Sequence, residues 1–251
     1  MENMTLQTVE RALMVLEIIS TQPRSQKELE DITGFNRSNV RRLVFTLLKN
    51  GYIEKSASTN KYKLGLKLVE LSSLRLNQVE LKTEAVPMLR ELSMQTNQVC
   101  HMGIYSHGEV VYIEKIQPIN SISMFSSIGK RLPVYNSSMG KVLLSQFSDE
   151  EVISILKSIE IKKITKNTHT KIDDILKEVQ QARKDGYAVD NEENEEHIFC
   201  VGAPIYDYRN KIVAAISTSS DSRGSIDKGS AIVSKVKNTA YEISKCLGYN
   251  K

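Results

Sequence analysis

A chain of 251 residues with 34 basic and 30 acidic side chains, a net charge of +4 and 40% hydrophobic content has the makeup of a folded globular protein, and its length fits two domains. No stretch reaches the roughly 18 apolar residues a membrane span needs, and the N-terminus lacks the basic and apolar regions of a signal peptide, so a cytoplasmic protein with no membrane partner is expected. Cys100, Cys200 and Cys246 are odd in number, widely spaced and without a CxxC pair, which points to reduced thiols rather than disulfides or a zinc ribbon.

Val9, Ala12, Leu13 and Leu16 give the first helix an apolar face, and Pro23 with Arg24 breaks the chain after it. Ser25 with Glu28 three positions on is a capping box; Leu29 and Ile32 of that second helix are expected to turn inward, and Gly34 to end it. Asn36 caps a third helix over residues 37–49, with Val40, Leu43, Val44, Leu47 and Leu48 as one stripe and Ser38, Asn39, Arg42 and Phe45 opposite. After Gly51, residues 52–54 and 61–64 are predicted as short strands around the polar loop KSASTN. Residues 37–67 hold eight Lys or Arg against the single acid Glu54, a net of +7, whereas the 174 residues after position 77 are neutral.

A basic helix face by itself is usually only solvated. The ordered succession of cap, turn, stripe, glycine and basic hairpin instead reads as a winged helix-turn-helix whose second helix is aimed at a DNA major groove. Ser38, Asn39, Arg41 and Arg42 are the candidate base-reading or groove-lining residues, and Arg37, Lys55, Lys61 and Lys63 the candidate phosphate contacts. Ser25 and Gln26, at the start of the second helix, join them on the DNA-binding surface.

Beyond the wing, Leu64, Leu68, Leu71 and Leu74 have helical spacing and no partner stripe in the small N-terminal domain, as expected of a connecting helix that packs on another subunit. A helix over 80–96 leads into VCHMGIY and VVYIEKI, a hairpin about SHGE. SSMGKVLLSQF, DEEVISILKSI and IDDILKEVQQARKDG read as helices, YAVD, HIFCVGAPIY and KIVAAISTSS as strands, and residues 228–246 as a last helix. In VYNSSMGKVLL, Asn136 or Ser137 can cap a helix whose first turn exposes the amides of Ser138 and Met139, with Gly140 allowing close approach: a cradle for a carboxylate. Ser217 and Ser219 share one face of their strand, and the alternation in YAVD makes Asp190 a strand-end group able to accept hydroxyl protons.

The segments TVERALMVLEII, ELEDITGFNRSNVRRLVFTLLKNGYIE and KYKLGLKLVEL, followed in order by GEVVYIEKI, GKRLPVYNSSMGKVLL, DGYAVDNEENEEHIFCVGAPIYD and KIVAAISTSS, together resemble the IclR family of bacterial transcriptional regulators over residues 5–248. The resemblance implies an α+β protein: an N-terminal winged helix-turn-helix (1–64), a linker or dimerisation helix (65–78) and a C-terminal GAF-like mixed α/β effector-binding domain (79–251). It implies dimers or tetramers on partly palindromic double-stranded operator DNA, no cofactor and no enzymatic activity, with repression the commoner mode. It also places an effector pocket at Met124, Leu132, Ser138, Met139, Asp190, Cys200, Ser217 and Ser219, to which Gly140 is added from the cradle, suited to a small organic acid such as a sugar acid. Bulky Met139 departs from the small residues common at that place.

Two other chemistries have partial signatures in the sequence. Ser138 and Lys141 form an S-x-x-K pair, but no SDN or KTG element follows, and GxGxxG and P-loop motifs are absent. Cys100, His101 and His197 could hold a metal only by converging in three dimensions. A binding protein without DNA function would leave the basic cluster unexplained.

Overall fold

The computed structural model describes residues 5–77, 80–119, 121 and 126–250, and the chain divides into two compact units, residues 1–78 and 79–251.

In the first unit, α1 (Gln7–Thr21), α2 (Gln26–Thr33) and α3 (Arg37–Lys49) precede a two-stranded wing, β1 (Ile53–Lys55) and β2 (Tyr62–Leu64), and α4 (Leu66–Asn77) follows. Each short helix is fixed at its start by its own sequence. At α2 the Glu28 amide donates to Ser25 Oγ at 3.3 Å and the Ser25 amide to Glu28 Oε2 at 2.6 Å; at α3 the Asn39 amide donates to Asn36 Oδ1 at 2.9 Å. The wing is tied back by reciprocal backbone bonds between Arg24 and Tyr62, of 3.0 and 2.6 Å. Val40, Leu43, Val44 and Leu47 are buried as their spacing requires, against Val15, Ile19, Leu29, Ile53 and Tyr62.

The phase of α1 differs from expectation: Val9 and Leu13 are 51% and 53% exposed, and the buried side chains are Val15 and Ile19. This helix carries apolar residues around most of its circumference, so two overlapping stripes satisfy the same periodicity, and the one containing Ala12, Val15, Leu16 and Ile19 meets α3. Ile32, expected inside, is 50% exposed because the eight-residue α2 buries only Leu29.

The second unit is one antiparallel six-stranded sheet, with helices on both faces. Its elements are α5 (Glu80–Thr96), β3 (Val99–Ser106), β4 (Glu109–Ile116), β5 (Arg131–Pro133), α6 (Ser138–Leu144), α7 (Asp149–Ser158), α8 (Ile172–Asp185), β6 (Ala188–Asn191), β7 (Phe199–Tyr206), β8 (Ile212–Ser220) and α9 (Ala231–Cys246). Strand order is β5-β4-β3-β8-β7-β6. The β3–β4 loop is two residues, His107 and Gly108, both with positive φ (52° and 79°), the geometry that matches strand twist in a tight hairpin. Helices α5 and α9 cover one face and α6 the other, backed by α8. Three-residue β5 is too short to give an alternation in the sequence.

Replacing the α2 cap, Ser25→Ala, is expected to cost about 1 kcal/mol, and Ser25→Asn to restore most of it, in urea unfolding of the full chain followed by circular dichroism.

Candidate functional site

The first site is the outer surface of α3. Arg37, Ser38, Arg41 and Arg42 are exposed on it, while Asn39 is half-buried on the flank toward α1. Asn39 and Arg42 also border a groove of about 430 Å³ between α1 and α3, floored by Leu13, Leu16, Leu43 and Leu47. Phe45, 66% exposed, lies one turn beyond Arg41 and one turn before Lys49; neither Phe45 nor Lys49 was among the sequence-chosen DNA contacts, although a large apolar side chain left outside on a basic face is a signal. Lys61 pairs with Glu28 at 3.0 Å and Lys63 with Glu54 at 3.1 Å, and Lys55 lies over the Tyr62 ring at 5.8 Å. Such exposed pairs hold their partners weakly, so both wing lysines can exchange a carboxylate for a phosphate. Ser25 and Gln26 instead serve their own helix, Ser25 Oγ in the cap and Gln26 Nε2 donating to Glu30 at 2.8 Å.

The second site is the sheet face under α6. Strand register puts Asp190, Cys200 and Ser219 in one cross-strand row, and Gly202, Ser217 and His101 in the next. All six are buried. Leu132 on β5 pairs with Val110 and joins Tyr112 and Met139 as an apolar wall. Met124 lies outside the described residues.

Two glycines decide how closely α6 approaches. A Cβ on Gly202 would stand 2.9 Å from the carbonyl carbon of Ser138 and 3.0 Å from the Met139 amide, so the first turn of α6 sits directly on β7. Gly140 has a different role from the one expected: its Cβ would fall 2.2 Å from the Val134 carbonyl oxygen, so it is glycine to let the chain pack behind it, not to admit a ligand. The cradle is also less open than its sequence promised, because the Gly140 amide donates to Ser137 Oγ at 3.1 Å and Ser138 and Met139 are buried in a seven-residue helix.

Lys141 is fully buried. Its ammonium donates to Glu193 Oε1 at 2.6 Å, the Val189 carbonyl at 3.0 Å and Glu178 Oε2 at 3.3 Å, joining α6 to the β6 end and to α8. The S-x-x-K pair is therefore no catalytic dyad, since its amine is already committed to a buried carboxylate. Asp190 accepts from the Glu193 amide at 2.7 Å and the Asn194 amide at 3.4 Å. Burial and then the Glu193 charge push its carboxyl from 3.8 up to about 7, against the opposing pull of Lys141. Cys200 Sγ lies 3.2 Å from Ser219 Oγ, and burial, followed by the Asp190 charge, pushes the thiol up, so it faces the site uncharged.

Cys100, His101 and His197 do not converge. Cys100 and His101 point to opposite faces of β3, His197 is on the surface, and among the described residues no group of three or more His, Cys, Asp or Glu could hold a metal.

The two halves of this architecture match two domains of one family. Residues 8–57 match the IclR helix-turn-helix domain, and residues 74–245 match the C-terminal domain of bacterial IclR transcriptional regulators. The chain belongs to the IclR family. The HTH-type transcriptional regulator XynR of Escherichia coli (strain K12) is 32% identical over 247 residues, spanning 97% of this chain and 98% of that protein. KdgR of the same organism is 35% identical over 224 residues, 89% of this chain and 85% of its own. The crystal structure of the Thermotoga maritima IclR superposes with a TM-score of 0.80 at 31% identity, covering 98% of this chain and all of that one. As an IclR-family member the chain is a DNA-binding transcriptional regulator with an effector-binding domain, not an enzyme. Among its described residues no helix is long and apolar enough to cross a membrane.

Lys141→Met strands Glu193 as an unpaired buried charge and is expected to cost about 3–5 kcal/mol in denaturant unfolding, while adding Glu193→Met recovers most of the loss. Asp190 gives a pH signature. Its folded pKa is raised, so its contribution to stability is full below its ordinary 3.8 and is lost as pH rises through about 7. Unfolding midpoints of the wild type should fall relative to those of Asp190→Asn across that window; parallel curves would show Asp190 ionised throughout.

Proposed function

We propose that this chain is a ligand-responsive repressor of catabolic genes that binds a two-fold operator as a dimer of winged domains, and whose effector is a small hydroxylated organic acid such as a sugar acid. The observation that carries the effector assignment is the double row of polar side chains, Asp190, Cys200, Ser219 and Ser217, on a buried sheet face beneath Ser138 and Met139. A purely structural core would place apolar side chains there, because buried hydroxyls and carboxyls cost free energy unless they are partnered. Asp190 and the two serines accept and donate to hydroxyl groups, and Leu132 and Met139 cover the carbon skeleton. The bulk of Met139 limits the width of the ligand at that end. Repression is chosen because it is the commoner mode in the family.

On the DNA side, Arg42 reads bases and Lys61 holds a phosphate. The linker helix α4 leaves Leu66 and Val69 73% and 59% exposed, in keeping with a partner subunit that covers them. A thermal-shift panel of small organic and sugar acids, followed by binding to the DNA upstream of the protein's own reading frame, tests both halves: a hit that changes DNA affinity supports the regulator, and a hit without effect on DNA separates sensing from regulation. In fluorescence anisotropy against that DNA, Arg42→Ala is expected to relax discrimination at particular base pairs, with about 1–3 kcal/mol lost at each. Lys61→Ala should weaken binding to all sequences and lower the slope of log K against log salt by roughly 1. Indifference to both changes would remove this surface from the interface.

A further inference from the structure

The family-matched polar positions stop at Ser217 on β8 and the apolar Leu132 stands on β5, but the polar row on which Ser217 stands continues between them onto β3. His101 is its register partner there, at 0% exposure. The imidazole Nε2 lies 2.8 Å from Ser126 Oγ, and its Nδ1 is buried with no hydrogen-bond partner among the described residues. The Tyr112 ring stacks on the imidazole, with centroids 4.6 Å apart and planes 17° from parallel. Burial pushes the Tyr112 phenol up, so it too is uncharged. A buried nitrogen without a partner costs free energy and is uncommon in native interiors, so an unfilled position of this kind calls for an occupant.

The chemistry of the two side chains selects that occupant. Burial, then Lys115 and Lys130, push the His101 pKa from 6.5 down to about 3, so the ring is neutral at physiological pH. The Lys115 ammonium itself donates to the Ser126 carbonyl at 2.9 Å. A neutral imidazole, a serine hydroxyl and a phenol can each donate or accept, and so can an alcohol. A carboxylate, which only accepts, is matched better by fixed donors.

We propose that the effector site extends along the sheet from Asp190, Ser219 and Ser217 to His101 and Tyr112, and that these two neutral side chains, with Ser126, select a ligand whose carbon chain carries several hydroxyls beyond the first. This rests on the assignment of the sheet face as the effector site and adds the residues that read the further hydroxyls, which favour a polyhydroxylated acid over a two- or three-carbon one. His101 and Tyr112 are specificity-determining residues that no positional match to the family identifies.

The test is calorimetric titration of the full chain with glycolate, glycerate and gluconate, which differ in the number of hydroxyls, using wild type, His101→Asn, Tyr112→Phe and Asp190→Asn. Gluconate should bind the wild type at least about tenfold more tightly than glycolate, the worth of one or two well-made hydrogen bonds. That ratio should fall to within about threefold in His101→Asn and Tyr112→Phe, with gluconate losing more affinity than glycolate. Tyr112→Phe removes one oxygen and keeps the ring, so it remains informative where His101→Asn fails to fold. A wild-type ratio that survives in both variants, or equal binding of all three acids to the wild type, overturns the extension while leaving the effector site in place. Undiminished binding of all three acids to Asp190→Asn overturns the underlying site instead. Binding of none of them to the wild type overturns the polyhydroxylated-acid class.

Discussion

The ammonium of Lys141 is the fixed point of the second unit. A cation with no exposure to solvent must be surrounded by acceptors, and its three, Glu193, the Val189 carbonyl and Glu178, come from the loop after β6, from β6 and from α8. Lys141 therefore holds the segment that carries Asp190 at a set distance from the helix that carries Ser138 and Met139. Gly202 lets that helix rest on β7, and Gly140 lets residue 134 pack behind it. The spacing between the two walls of the proposed effector site follows from these contacts and not from a ligand, which lowers the ordering cost of binding there.

The two units divide the labour electrically. The helix-turn-helix and wing concentrate the +7 of residues 37–67, and the 174 residues after position 77 add no net charge. A phosphate footprint needs the former; a pocket that distinguishes hydroxylated ligands needs a neutral interior whose polar groups are directional. The uncharged imidazole of His101 and the uncharged thiol of Cys200 belong to that neutral interior. For a regulator of the IclR family, the ligand changes operator affinity only through its differential affinity for the DNA-competent and incompetent arrangements, so the tightness of the pocket alone does not set the response.

Local signals were legible because their physics is local. The caps at Ser25 and Asn36 and the stripe of α3 are decided within four residues, and the structure has them where the sequence puts them. The phase of α1 was not, because a helix apolar around most of its surface satisfies two stripes, and only the position of α3 chooses between them. In the second unit Asp190, Ser217 and Ser219 were identified one strand at a time, whereas the row that joins them depends on register, a non-local property. Gly140 was misread for the same reason: what a missing Cβ makes room for depends on which backbone arrives, and here it is Val134. The sequence offers His101 only as a metal ligand, since nothing in its neighbourhood announces Tyr112 stacked upon it or an Nδ1 without a partner among the described residues.

In the proposed function, a hydroxylated acid bound on this sheet face controls operator affinity. The direct measurement is the dissociation constant of the full chain for DNA upstream of its own reading frame, with and without saturating gluconate, in wild type and Asp190→Asn. A wild-type constant shifted about tenfold or more by gluconate, and an Asp190→Asn constant that gluconate leaves unchanged, is the predicted result, corresponding to a coupling of roughly 1–3 kcal/mol. Identical wild-type constants with and without the acid, under conditions where calorimetry shows the site filled, would contradict it.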